Sequence, residues 1–277
     1  MAKFEKDDFG NRQKKYEEVF RQKLVFGEPI VIRCDGKAFH NVCKKMKKPF
    51  DDLFIDSMQK TMFWSAQDIQ NCKLGYVQSD EITFVCIIDD LMKTHSFYNN
   101  EVSKIISIIS SKVTKNFIKA FYENIQNLRE NPNLFKEIVN IEVYEEKLFE
   151  IEFDCRVMNI PNWDVLNNVI WRQQDATRNS ILLLGQKYFT HKELYKKKLM
   201  QIQDMLVLEK NINWNNLETY KKWGTCCYKK EIQIIDKKTQ KIKLKNKWYL
   251  DLDMPILSNS KDREYFNNIL FGNQRKL

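Results

Sequence analysis

The chain has 277 residues, 43% hydrophobic and 30% charged, enough to bury roughly three quarters of the surface its unfolded form exposes, so its core needs no disulfides. Lysine and arginine exceed aspartate and glutamate to leave a net charge of +9, which favours an anionic partner such as RNA but does not identify it. No apolar run approaches the ~20 residues of a membrane helix, Met1 to Tyr16 does not resemble a leader peptide, and seven cysteines without CxxC spacing read as free thiols; a soluble cytoplasmic protein without membrane association is expected.

Only seven glycines and five prolines are present, and no linker, low-complexity tract or repeat interrupts the chain. One continuous domain over 1–277 is therefore expected, with a core at about 25–160 and a helical and β-hairpin extension at about 161–277. Pro29 opens a β-branched run, Ile30 to Asp35, that suits a buried strand, and Asp35-Gly36 turns the chain. Leu53, Phe54, Met58, Met62, Phe63 and Ala66 have helical spacing within 51–70. The period then shortens: Gly75 to Gln78 and Ile82 to Ile88 flank Ser79-Asp80, which predicts a β-hairpin with the aspartate at its tip. A long helix is expected over 101–128, followed by a half-exposed strand in which Leu148 to Phe153 alternate apolar and acidic residues before Asp154 to Val157. The order β-α-β-β-α-β is that of the ferredoxin-like split motif, an α+β fold with the first and third strands adjacent, and the frame of polymerase palms. Further helices are expected over 164–188 and 198–210, and Thr225 to Tyr228 with Ile232 to Trp248 read as a terminal β-hairpin.

In that topology Asp35 ends the first strand and Asp80 tips the hairpin, and strands ~4.8 Å apart allow the two to converge. Such a pair suits hard Mg²⁺ ions, two of which at about 3.5–4 Å stabilise attacking and leaving oxygens in phosphoryl transfer. Glu81, one residue on from Asp80, points to the other side of its strand and is expected to support rather than ligate. Gly36, Lys37, Ala38, Phe39 and His40 permit close approach of a triphosphate to backbone N–H groups, with Lys48 adding a charge. Taken singly, each aspartate is ordinary turn chemistry and the lysines of 44–48 a solvated face; the combination points to nucleotidyl transfer. P-loop, dinucleotide-binding and serine-hydrolase classes lack their residues. Farther on, Trp171, Arg172, Arg178, Tyr220, Lys221, Lys222 and Trp223 offer phosphate contacts and stacking surfaces, although Trp171 lies in an apolar helical pattern and reads as core.

Arg33-Cys34-Asp35-Gly36-Lys37-Ala38-Phe39-His40, Lys48-Pro49 with Asp52 behind it, and Gln78-Ser79-Asp80-Glu81 together resemble the tRNA(His) guanylyltransferase superfamily, whose pattern is close to R-x-D-G-R-x-F-H, K-P-N-D and Q-S-D-E. The likeness continues through Phe153-Asp154-Cys155-Arg156-Val157, Trp171-Arg172-Gln173-Gln174-Asp175 and Ile212-Asn213-Trp214-Asn215-Asn216. The resemblance implies a polymerase-like palm, two Mg²⁺ ions, ATP, GTP and other NTPs as substrates, tRNA or tRNA-like RNA as partner, and a homotetramer. It also implies that Asp35, Asp80 and the Gly36 carbonyl are metal ligands and that Glu81 is needed for activity. By the same resemblance, the backbone of 36–40 with Lys48 and Ser79 cradles a triphosphate, and Arg33 and Arg156 lie near a second nucleotide or the RNA end.

Thr177-Arg178-Asn179-Ser180 stands where members specific for histidine tRNA carry His-Ile-Asn-Asn. That departure resembles the guanylyltransferase-like proteins and implies templated 3′–5′ repair of truncated tRNA 5′ ends rather than obligatory addition of one G. Lys37 and Phe50 replace the usual arginine and asparagine, leaving base selectivity open. Three other readings remain: a tRNA(His) guanylyltransferase adding a single G, a palm-fold nucleotidyl cyclase, and a basic RNA-binding protein without chemistry.

Overall fold

Alternation of side chains along the strands builds a sheet whose central strands are buried on both faces, and the candidate site hangs from one end of it. The computed structural model describes residues 8–135, 140–235 and 242–272. In chain order the elements are α1 (Asp8–Glu18), β1 (Ile30–Gly36), α2 (Phe39–Val42), α3 (Asp52–Asp68), β2 (Cys72–Gln78), β3 (Glu81–Cys86), α4 (Val102–Glu130), α5 (Glu142–Glu145), β4 (Phe153–Asn159) and α6 (Val165–Tyr188). They continue with α7 (His191–Leu194), α8 (Leu199–Lys210), α9 (Thr219–Trp223), β5 (Thr225–Ile235), β6 (Ile242–Asp251) and α10 (Ser260–Phe271). The six strands form one sheet in the order β4-β1-β3-β2-β5-β6, and every neighbouring pair is antiparallel. Its first four strands have β1 beside β3, as a β-α-β-β-α-β order requires.

Even-numbered residues of β1 (Ile30, Ile32, Cys34) join Ile82 and Phe84 beneath α3 and α4. Val31 instead packs with Tyr76 and Val85 against Val165, Leu166 and Val169 of α6 and Phe266 and Leu270 of α10. The odd face of β1 therefore looks toward α6, which decides where Arg33 and Asp35 point. A separate cluster ties α6 to α8 through Ile181, Leu184, Ile202, Leu206 and Trp214. Asp51 caps α3, accepting from Phe54 N at 2.9 Å. It also accepts from Lys47 N at 3.1 Å and Tyr144 Oη at 2.6 Å, which pins the 47–51 loop to the body.

Two expectations need correction. The strand expected from Leu148 begins only at Phe153. Before it, the chain turns, with Leu148 N donating to Glu145 O and Glu150 N to Lys147 O; the alternation of 148–153 arises because Leu148 and Ile151 drop into the core while Phe149 stays outside. The C-terminal hairpin is not a terminal appendage. Ile232 lies within β5, which runs to Ile235, rather than opening the second strand, β5 pairs with β2, and α10 follows; residues 236–241 between β5 and β6 lie outside the described residues. Neither α1 nor α10 was expected. The cysteines of the described residues are all free, and no described helix is long and apolar enough to cross a membrane.

Candidate active site

Register places the charged residues before any side chain is considered. Asp35 lies directly between Glu81 of β3 and Asp154 of β4, and Arg33 between Thr83 and Arg156. Residues directly opposite share a face, so an acidic row, Asp154-Asp35-Glu81, runs beside a basic pair, Arg156-Arg33. Glu81 thus lies on the face of Asp35. Its carboxylate pairs with Arg172 Nε of α6 at 3.0 Å and Arg33 Nε at 3.8 Å, and Arg172 also pairs with Asp175 at 2.5 Å. The Arg172–Glu81 contact is off-axis, since neither atom completes a hydrogen bond, and it acts as charge attraction. Burial pushes the Glu81 carboxyl up to about 7, opposed by Arg172 and Arg33.

Asp80 occupies the hairpin tip beside Ser79, whose φ of 50° is left-handed. Gly36 N donates to Asp80 O at 3.0 Å, clipping the tip to the end of β1. Burial, then the charge of Asp35, raises Asp80 above the ordinary carboxylate range. Asp35 is raised by burial and then by Asp154, with Arg156, Arg33 and Arg172 opposing. Two partly buried carboxylates, both raised and one of them by the charge of the other, form a site a cation would relieve, and their all-oxygen donor set suits a hard ion. No group of three His, Cys, Asp or Glu side chains gathers for a metal among the described residues, so such an ion would rest on this pair and main-chain oxygen.

A cavity of about 360 Å³ opens beside Asp80, lined by Phe39, His40, Lys48, Ser79, Asn179 and Lys221 among others, a size usual for small-molecule sites. Lys221 Nζ meets Asp52 Oδ1 at 2.8 Å, and Gln59 Nε2 donates to Thr225 Oγ1 at 2.8 Å, so α3, α9 and β5 close its wall. Phe39 is its packed floor, with ring centroids 5.0 Å from Phe153 and 5.7 Å from Phe117. A Cβ at Gly36 would stand 2.4 Å from that ring, so glycine is required there by close packing. Ala38 is left-handed at φ 55° and starts α2, whose first amides, at Phe39 and His40, precede any helical acceptor.

The structure gathers Asp80, Ser79, Lys48, Phe39 and His40 at the cavity and sets Asp35 within electrostatic reach of Asp80. Arg33, Glu81 and Arg156 lie on the α6 side of the sheet. Lys37 is elsewhere: its ammonium pairs with Glu152 at 2.5 Å and its amide donates to Glu152 O. Lys222 is buried, donating to Asn215 O at 2.7 Å, and serves the packing of Trp214 and Trp223 rather than solvent. Trp171, expected in the core, is 51% exposed. The roles of Arg172 as the buried counter-ion of Glu81, and of Asn179 and Lys221 in the cavity wall, are not apparent from sequence. The spacing of Arg172, Asp175 and Asn179 at i, i+3 and i+7 on one helical face was the available signal.

Residues 10–161 match the family model described as tRNAHis guanylyltransferase. A bacterial tRNA(His) guanylyltransferase-like protein in complex with ATP is similar at a TM-score of 0.77 and 34% identity, over 95% of this chain and 99% of that one. A bacterial protein of the same description in complex with GTP gives 0.73 and 32%, over 96% and 100%. The probable tRNA(His) guanylyltransferase of Dictyostelium discoideum is 26% identical over 270 residues, covering 92% of this chain and 96% of its own. With over half of its length under the family model, and with a structure 34% identical overlapping nearly all of it, the chain belongs to the tRNAHis guanylyltransferase (Thg1) family of nucleotidyltransferases.

Proposed function

We propose that this protein adds nucleotides in the 3′–5′ direction to the 5′ end of truncated tRNA or similar RNA, choosing each by pairing to a template. The observation that carries the reading is the Asp35–Asp80 pair, with Gly36 N clipped to Asp80 O and Asp80 raised by the charge of Asp35, at the edge of a nucleotide-sized cavity. The β4-β1-β3-β2 part of the sheet serves as a palm, and the whole chain acts as one domain within a cytoplasmic homotetramer.

Asp35, Asp80 and the Gly36 carbonyl would hold Mg²⁺, two ions in all, which when bound supply positive charge to the phosphate oxygens during transfer. The cavity takes the NTP: Phe39 and Phe54 give its apolar floor, and His40, Lys48, Ser79 and the amides at the start of α2 grip the triphosphate. Arg33 and Arg156 neutralise the RNA end or a second nucleotide, and Glu81 holds Arg33 and Arg172 in place. A 5′-monophosphate on the RNA first attacks the α-phosphorus of ATP or GTP, forming a 5′-linked nucleotidyl end and releasing pyrophosphate; the 3′-hydroxyl of the incoming NTP then attacks the RNA 5′ phosphorus, and the nucleoside monophosphate leaves. A 5′-triphosphate end needs no activation and releases pyrophosphate.

Support for repair over single-G addition comes from 177–180. Asn179 lines the cavity, while Ser180 Oγ accepts from Trp214 Nε1 at 3.0 Å and donates to Thr177 O at 2.9 Å, so the divergent segment forms cavity wall. Relatives described as tRNA(His) guanylyltransferases favour the second reading, addition of one G to histidine tRNA.

Incubation of 5′-truncated and intact tRNAs with labelled NTPs and Mg²⁺, followed by 5′-end sequencing, separates the readings. Templated restoration of the missing nucleotides is the expected result. A single G added only to histidine tRNA would replace repair with the second reading. A cyclic nucleotide formed without RNA would indicate a cyclase, and full function in Asp35→Ala and Asp80→Ala would leave only an RNA-binding protein.

A further inference from the structure

We propose that Trp171 is the platform on which a base at the 5′ end of the RNA stacks. The inference rests on the nucleotidyltransferase reading of the Asp35–Asp80 site and adds to it a specific contact for the RNA. Trp171 stands in the second turn of α6 with half of its surface open, although the helix buries Val169, Arg172 and Gln173 on either side of it. An indole left in water at that position is explained by what surrounds it. The Arg172 guanidinium lies 4.0 Å from the ring centroid and that of Arg33 5.8 Å, so cation already covers part of the ring and its remaining exposure is open to a second π-surface.

Three features make that surface a nucleobase of a phosphate-bearing strand. Arg33 precedes Asp35 by two residues on the same face of β1, roughly 7 Å along the strand, so the ring adjoins the reacting end of the sheet. Arg156 is the cross-strand neighbour of Arg33; its 3.4 Å pair with Asp154 is about half exposed on both sides, an exposed pairing that a phosphate readily exchanges. Trp171, Gln174 and Arg178 form an outward stripe of α6 at i, i+3 and i+7, presenting an aromatic, an amide and a cation over about 10 Å. A flat ring for a base followed by a cation for the next phosphate is the pattern of sequence-tolerant single-strand binding.

The test uses an RNA hairpin carrying 2-aminopurine as its 5′-terminal nucleotide, titrated with the full chain and with Trp171→Ala and Trp171→Phe. Fluorescence quenching reads stacking, 5′ extension gives separate KM values for RNA and NTP, and light scattering gives the assembly state. In Trp171→Ala, quenching is lost and the RNA KM rises about tenfold with the NTP KM unchanged, while Trp171→Phe keeps most of both. Unchanged quenching and RNA KM in a folded Trp171→Ala would overturn the proposal. So would unchanged quenching accompanied by an altered assembly state, which would assign the ring to a protein interface. Trp171-dependent quenching without any 5′ extension by the parent chain would keep the stacking site and remove the nucleotidyltransferase reading.

Discussion

Arg172 illustrates how much a single side chain can hold at this site. It is 6% exposed and answers two carboxylates, Glu81 and Asp175. Arg172→Met keeps the bulk but leaves buried Glu81 without its nearest counter-charge and part-exposed Asp175 unpaired, so unfolding stability should fall by about 3 kcal/mol, measured by urea denaturation. Asp80 behaves in the opposite sense. Its raised carboxyl means that the folded chain disfavours the charge, a cost present at neutral pH and absent where the group is protonated in both states. Without divalent cation, Asp80→Asn should melt at or above the parent temperature, and added Mg²⁺ should reverse that order while 5′ extension falls roughly a hundredfold or more. Scanning calorimetry with and without Mg²⁺ checks the first part and product sequencing the second. The aspartates and Glu81 stand out in the sequence because Asp-Gly and Ser-Asp-Glu sit at strand ends; Arg172 does not, because a lone arginine in a helical pattern gives no sign of which carboxylate it will meet.

Elements with a strong period read well from sequence. β1, α3, the β2–β3 hairpin, α4 and α6 fall where their spacing predicts, because period 2 and period 3.6 survive any tertiary arrangement. Failures occur where neighbours decide. Leu148 and Ile151 imitate a strand because two turns drop them into one core, and β5 outruns Tyr228 because β6 pairs with it as far as Ile235. The junction of α9 and β5 is the most exacting position. Gly224 has φ 82°, and a Cβ there would approach Val77 O to 2.5 Å and Tyr76 Oη to 2.8 Å, while Tyr76 Oη donates to Trp223 O at 2.8 Å. Gly224→Ala should cost about 2 kcal/mol and loosen Lys221 from Asp52. Lower unfolding stability together with a raised NTP KM would bear this out, the KM change being absent from an alanine at Gly272, which shares the positive φ (68°) but has nothing within 4 Å.

At the scale of the molecule, one apolar body supports the cavity. Phe117 is fully buried and its ring meets those of Phe39, Phe54, Phe121 and Phe153, so Phe117→Ala should cost about 3–5 kcal/mol and lower NTP affinity through the floor residue Phe39; denaturation and nucleotide titration read the two effects. The net charge of +9 acts over a longer range. With about four phosphates neutralised, RNA affinity should fall roughly a hundredfold between about 50 and 200 mM salt, measured by fluorescence anisotropy; a flat salt response would remove the polyanion from the account. The chain's own letters determine the strands, the long helices and the two acidic turns, because periodicity and turn chemistry act over a few neighbouring residues. Only the tertiary structure decides that Glu81 shares a face with Asp35, that Lys37 leaves the cavity, that Trp171 stays in the open, and that α9 completes the wall. Those outcomes depend on register and on packing between segments far apart in the chain, where a shift of one residue reverses the direction of every side chain.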